Sequence, residues 1–437
     1  MDKLINQYRE FLDKGKTERE CVKEIVRQAE DAGYKDIESV SSLKAGDKVY
    51  YSQYGKSIAL FNVGQSPIEE GMNILGAHID SPRLDVKMNP LYEDSGLVYL
   101  DTHYYGGIKK YQWVTHPLAI HGVVVKKDGT TLDIIAGEDD DLAFCISDIL
   151  PHVAHEQMRK SAAEFIPGES LDLIVGLSAE DKKHKDKAKK AVLKLLEEEY
   201  GIEEKDFCSA ELEIVPAGKS KLMGFDRSMI LAYGQDDRVC AFTSLAAQLA
   251  VTDAVRTTCC LLVDKEEIGS VGSTGMNSVF FENATAELLS RLEGGYDGLR
   301  LRRMMRNSLM LSSDVNAAYD PLNKSLYDKK NSSLLAGGVV FNKYTGSRGK
   351  SGSSDANAEF VARVRAKMDE KGVKCQMAEM AKVDYGGGGT IAKFAAYYGM
   401  QVLDCGVAVL SMHAPWEITS AEDVVSAYEC YKAFLTL

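Results

Sequence analysis

The chain has 437 residues, 45% of them hydrophobic and 27% charged, with a formal net charge of −13. That length exceeds what one core usually holds, so two domains are expected, and the acidic balance argues against general binding of nucleic acid or membrane surfaces. No apolar run reaches the roughly 18 residues of a membrane span, the start MDKLINQYREFLDKGKTERE lacks a signal-peptide core, and nine scattered cysteines without a CxxC pair fit reduced thiols in a cytoplasm.

In chain order, Thr17 and Glu20 have capping-box spacing, and Cys21, Ile25, Val26 and Ala29 share one face, which predicts an opening helix. Short strands follow at SIALFNV (57–63) and MNILGAH (72–78). From 91 to 230 the pattern turns β-rich (VYLDTHYY, LAIHGVVVKKDGTTLDIIAG, SLDLIVGL), with one helix of about 20 residues around KDKAKKAVLKLLEEEYG. Its Lys-rich start, KKHKDKAKK (182–190), runs straight into EEEYGIEE and reads as a solvated helix face with i,i+4 pairs. His152, His155 and His184 read as surface positions without a role.

After 230, helical and strand patterns alternate: CAFTSLAAQLAV, TTCCLLVDKEE, SLMLSSDV, NAEFVARVRAKMDEKG, QMAEM, IAKFAAYYG and QVLDCGVAVLSMHAP. This predicts an α/β fold, a mixed and mostly parallel sheet with helices on both faces. Residues 1–90 and 231–437 would form one domain, and 91–230 an inserted β-rich domain. Two glycine-rich stretches fail as phosphate loops. GSRGKSG (346–352) has Tyr344 where a P-loop needs glycine, and DYGGGGT has Ile391 where the dinucleotide fingerprint needs one.

Hard and borderline ligands stand where apolar strands end. They are His78 and Asp80 (GAHIDSPRLD), Asp236 and Asp237 (YGQDDRVCAF), Glu266 and Glu267 (DKEEIGS), Asp314 (LSSDVNAAYDP) and His413 (LSMHAPWEIT). The carboxyl ends of strands in an open α/β sheet share one crevice. Two metal ions about 3.5–4 Å apart need a bridging carboxylate with His and carboxylate ligands on each side. Zinc suits that mixture, and manganese or cobalt also bind it. A further carboxylate should take a proton from the attacking water. The adjacent Glu266 and Glu267 serve both purposes if the backbone turns between them. Asp80 points to the same side as His78 in extended backbone, so it either holds the imidazole or is a turn residue before Ser81 and Pro82.

The order His-x-Asp, Asp, Glu-Glu, Asp, His resembles that of the co-catalytic two-zinc aminopeptidases. The stretches GAHIDSPRLDVK, YYGGIKKYQW, LAIHGVVVKKDG, DKEEIGSVGSTG, SSDVNAAYDP and LSMHAPWEITSAEDV resemble the aspartyl-aminopeptidase family across residues 76–424. The resemblance implies a zinc aminopeptidase fold with Asp236 bridging, His78 and Asp314 on one metal, Glu267 and His413 on the other, and Glu266 as general base. GQDDRV resembles a sister family of cage-forming aminopeptidases. His78 and Asp236 are 158 positions apart, whereas Glu267 and Asp314 are only 47 apart, so the insertion precedes the Glu-Glu pair, as in aminopeptidases.

Peptides with a free N-terminus are the implied substrates, with Asp or Glu first as one candidate and broad or neutral specificity as the other. A dizinc deacylase or dipeptidase is the alternative reaction. The resemblance also implies that the inserted domain forms dimers, which build a homododecamer. It further implies that a histidine of that domain assists the oxyanion. Candidates are His103, His116 and His121, with His121 the residue named here. Lys343, beside Arg348 and Lys350 in FNKYTGSRGKSG, is the candidate reader of a substrate carboxylate; a solvated loop tip is the other reading.

Overall fold

The computed structural model describes residues 2–139, 141–177 and 186–437. Packing divides the chain into two units. The first is Met1–Asp80, Ser220–Met412 and Glu417–Leu437; the second is Ser81–Lys219 and His413–Trp416. The sequence reading set its boundaries at 90/91 and 230/231. The strand Arg83–Asp94 accounts for the first offset, because it hydrogen-bonds into the second unit's sheet.

The first unit is built on a nine-stranded mixed sheet with helices on both faces. Its centre is four parallel neighbours, Thr258–Val263, Asn73–His78, Leu309–Ser313 and Gln401–Gly406. Antiparallel strands Ser57–Asn62 and Val339–Asn342 flank them. The first three central strands are buried along their whole length, as expected for a sheet covered on both faces.

Period-two alternation then sorts their side chains between two cores. Leu75, Ala77, Cys260, Leu262, Leu309 and Leu311 join one core with helices Asp2–Lys14, Glu18–Asp31, Gln235–Leu249, Ala358–Lys371 and Ala421–Leu435. Ile74, Cys259, Leu261, Val263 and Met310 join the other, with helices Phe280–Arg291 and Gly298–Asn307. The Thr17 and Glu20 capping box is formed at the start of Glu18–Asp31. IAKFAAYYG yields only the short helix Ala392–Ala396, and the strand expected at QMAEM is Cys375–Met377.

The second unit carries a six-stranded antiparallel sheet. Its order is Thr131–Ala136, Leu118–Val125, Ala210–Pro216, Arg83–Asp94, Leu97–Tyr105 and Leu173–Leu177. The Lys-rich run up to 185, with His184, lies outside the described residues; beyond it the chain forms helix Lys187–Tyr200, where Lys194 meets Glu198 at 3.4 Å across i,i+4. Among the described residues, no helix is long and apolar enough to cross a membrane.

Candidate metal centre

His78 is the last residue of its central strand, and Asp314 directly follows Leu309–Ser313. Glu266 and Glu267 come just after Thr258–Val263, and Asp236 lies at the start of helix Gln235–Leu249. Three of these four sites are therefore carboxyl ends of neighbouring parallel strands, where an open sheet forms its crevice.

The loop after Val263 is closed by its own residues. Buried Asp264 accepts hydrogen bonds from Lys265 N (2.8 Å), Lys265 Nζ (2.9 Å) and Thr274 Oγ1 (2.6 Å). Lys265 takes φ 68°, which turns the chain into the two glutamates. Gly275 is required where the loop returns, since a Cβ there would lie 2.2 Å from Ser270 O.

His78 Nε2 lies 3.2 Å from Asp236 Oδ1 and 4.0 Å from Asp314 Oδ1. The ligand atoms of these three residues all lie within 4.8 Å of one another, and Asp236 and Glu267 offer oxygens within the same limit. Asp236 thus has a carboxylate in reach of His78 and Asp314 on one hand and of Glu267 on the other.

Asp80 adds a second layer. Its Oδ1 is 3.3 Å from His78 Nδ1, which also donates to Asp80 O at 3.0 Å. The same carboxylate accepts Glu266 N at Oδ1 and Glu267 N at Oδ2, both at 3.2 Å. One buried side chain therefore orients the imidazole and both glutamate amides. Of the two readings of Asp80, the structure supplies the imidazole contact.

A cation would relieve the electrostatics here. Burial disfavours a charged His78, yet its hydrogen bonds to Asp236 and Asp80 push its pKa well above the usual imidazole value. Burial, then the charge of Asp237, pushes Asp314 well above the carboxylate range. Burial likewise raises Asp237, with Asp236 adding to the effect against the opposing pull of His78. Imidazole and carboxylate donors around one shared carboxylate fit two divalent ions, which would neutralise this cluster, and zinc suits the donor set.

His413 lies in the segment His413–Trp416, between Met412 and Glu417. Its φ is 65°, and its Nδ1 donates to Gly107 O at 2.8 Å. That bond fixes the proton on Nδ1 and leaves Nε2 as the basic nitrogen, the usual arrangement of a metal-binding imidazole.

The histidines expected to assist an oxyanion differ in setting. His121 is buried in Leu118–Val125, with Nε2 3.0 Å from Glu138 Oε1. His103 Nδ1 donates to Tyr104 O, and His116 Nδ1 to Pro117 O, with burial lowering the His116 pKa. Lys343 Nζ lies 2.9 Å from Asp355 Oδ1, and Lys350 Nζ lies 3.3 Å from Oδ2 of the same residue. Sequence reasoning missed Asp355 and also Glu417, whose Oε2 accepts Asp236 N at 3.1 Å. The available signal for Glu417 was a glutamate placed four residues after His413, where a buried strand begins.

A family model described as Aminopeptidase I zinc metalloprotease (M18) matches residues 11–435. A probable M18 family aminopeptidase 1 of Clostridium acetobutylicum is 55% identical, covering 99% of this chain and 94% of that protein. A crystal structure of an M18-family aminopeptidase from Thermotoga maritima matches with TM-score 0.96 at 44% identity, covering 100% of this chain and 96% of that one. The mApe1 dodecamer of S. cerevesiae shares the fold at TM-score 0.79 and 22% identity, covering 98% and 95%.

Proposed function

This chain belongs to the aminopeptidase I zinc metalloprotease (M18) family and is a zinc-dependent aminopeptidase, and we propose how its residues divide the work. His78, Asp236 and Asp314 hold one metal; Asp236, Glu267 and His413 hold the other; Glu266 is the general base. The observation that carries this reading is Asp236, whose carboxylate lies in reach of His78 and Asp314 and also of Glu267.

Two divalent ions, when bound, supply Lewis acidity to the scissile carbonyl and to the attacking water. Asp80 accepts the amides of Glu266 and Glu267, which fixes the backbone from which both side chains leave. The Glu266 carboxylate takes a proton from water as its oxygen bonds to the carbonyl carbon. It returns that proton to the departing amine nitrogen as the C–N bond breaks. His121 is the inserted unit's candidate donor to the oxyanion. For an acidic first residue Lys343 is the candidate cation, and the substrate carboxylate would then take the place of Asp355 at its ammonium.

Self-association through dimers into a dodecamer is part of the same proposal. It is supported by the dodecameric relative and by the exposed apolar side chains Ile149, Leu150, Val153 and Met158 of the second unit. Nine unbridged cysteines, six of them buried, favour a reducing compartment such as the cytoplasm.

The test is Glu266→Gln. It should retain two equivalents of zinc by metal analysis while kcat/KM on an unblocked aminoacyl reporter falls by about 100-fold or more. A loss below tenfold with metal retained rejects Glu266 as the base.

A further inference from the structure

The amide of Asp236 needs a partner that its own helix does not supply. Asp236 has φ −81° and ψ 106°, outside the helical region, and the residue is only 3% exposed. A buried N–H at a helix start has no intrahelical carbonyl and must be satisfied from elsewhere. Glu417 Oε2 accepts it at 3.1 Å.

The same residue grips the preceding position through its backbone. Glu417 O accepts Gln235 Nε2 at 2.7 Å, and Gln235 Nε2 also reaches Ile230 O at 3.1 Å. Gln235 Oε1 in turn accepts the Tyr8 hydroxyl at 3.1 Å. Glu417 is 1% exposed, and Gln235 and Tyr8 are fully buried. Strand Glu417–Ser420 pairs with Met229–Ala232, with Glu417 opposite Ala232, which places its side chain beside the start of Gln235–Leu249.

Burying a carboxylate is costly unless a strong hydrogen bond compensates, and a carboxylate accepting a backbone N–H is one of the stronger kinds. If only fold closure were needed, the backbone bonds of the paired strands and the side-chain bonds of Gln235 would provide it. A side-chain carboxylate on the Asp236 amide does something narrower: it fixes the φ of the residue whose carboxylate both metals would share.

We infer that Glu417 is a positioning residue, which sets the orientation of the shared carboxylate of Asp236 through the Asp236 amide. This rests on the two-metal reading above. Glu417 also lies four residues after His413 in the chain.

The experiment measures zinc stoichiometry and affinity of the full chain by competition with a chromophoric chelator. The variants are Glu417→Met, which keeps the bulk and removes the acceptor, and Glu417→Gln, which keeps an acceptor. Tyr8→Phe removes the far end of the network and serves as a packing control. Glu417→Met should weaken zinc binding by about 10–100-fold, the range for losing a partner that orients a ligand. Glu417→Gln should stay within about threefold of the parent, and Tyr8→Phe within about twofold, on the same scale.

Unchanged zinc affinity in Glu417→Met overturns the inference, as does an equal loss in Tyr8→Phe. If Glu417→Met does not fold, Glu417→Gln decides: retention supports the role of the acceptor, and a tenfold loss overturns it. A parent chain that fails to bind two equivalents would instead refute the two-metal reading, so the two failures are distinguishable.

Discussion

Replacing Asp80 by asparagine tests whether one buried carboxylate organises the centre. Asp80 is fully buried, with oxygens 3.2 Å from the amides of Glu266 and Glu267 and 3.3 Å from His78 Nδ1. Asparagine keeps the shape but only one acceptor oxygen, so its NH2 must face one of the two amides. One hydrogen bond to a charged acceptor is then lost, which is worth about 1.5–3 kcal/mol. If that loss falls on the geometry of the transition state, kcat/KM drops by about 10–150-fold, since each 1.4 kcal/mol is about tenfold. Asp80→Ala removes both amide acceptors and should cost about twice that free energy.

The assay is kcat/KM on an unblocked aminoacyl reporter at saturating zinc, with zinc content measured on the same samples. The expected order is parent, then Asn, then Ala, with the zinc retained by Asp80→Asn near two equivalents. Asp80→Asn within threefold of the parent would refute the argument. The positive φ of Lys265 and the closed loop from Asp264 to Thr274 would then suffice to hold the glutamates.

Stripping the metal should destabilise the fold, because a ligand present at 100 times its dissociation constant contributes about 2.7 kcal/mol per site. Thermal unfolding before and after chelation, with zinc added back, reads this directly; an unchanged midpoint counts against both sites. Asp404 gives a pH-dependent prediction independent of the metals. Burial raises its pKa to about 6, while Thr390 Oγ1 donates to its Oδ1 at 2.6 Å. The folded chain therefore binds more protons at this site than the unfolded chain between about pH 4 and pH 6, and stability is lost as pH rises through that window. Asp404→Asn keeps the acceptor for Thr390 and removes the charge. Its gain in unfolding free energy should vanish near pH 4 and approach about 3 kcal/mol above pH 7. A gain that does not grow with pH between urea titrations at pH 5 and pH 8 would contradict this.

The features legible in the sequence are those that carry a local cost. Buried strands such as NILGAH and TCCLLV declare themselves by the apolar runs at their centres. Charged residues at their ends are out of place there unless a counter-charge gathers them, so His78, Asp236, Glu266, Glu267 and Asp314 stand out against their surroundings. The Thr17 and Glu20 cap is equally local, since both partners lie within one helical turn. The first domain boundary is not local. Arg83–Asp94 has the amphipathic pattern of either sheet, and only its pairing with Leu97–Tyr105 and Ala210–Pro216 assigns it.

The second layer of the centre is only partly legible for a related reason. Asp80 and Glu417 each satisfy backbone N–H groups of residues more than 180 positions away, and this is ordinary work for a carboxylate. In DSPR the spacing from His78 leaves Asp80 between an imidazole partner and a turn residue, and in PWEI the signal for Glu417 is only its place four residues after His413. Lys343 shows the same limit from the other side. Its cluster looks like an uncompensated cation in an acidic chain until the loop folds back and Asp355 meets two of its lysines. A metal centre can therefore be read from sequence through its own repulsion, which needs no partner to be noticed. The residues that aim its ligands become visible only when the backbone they hold has folded around them.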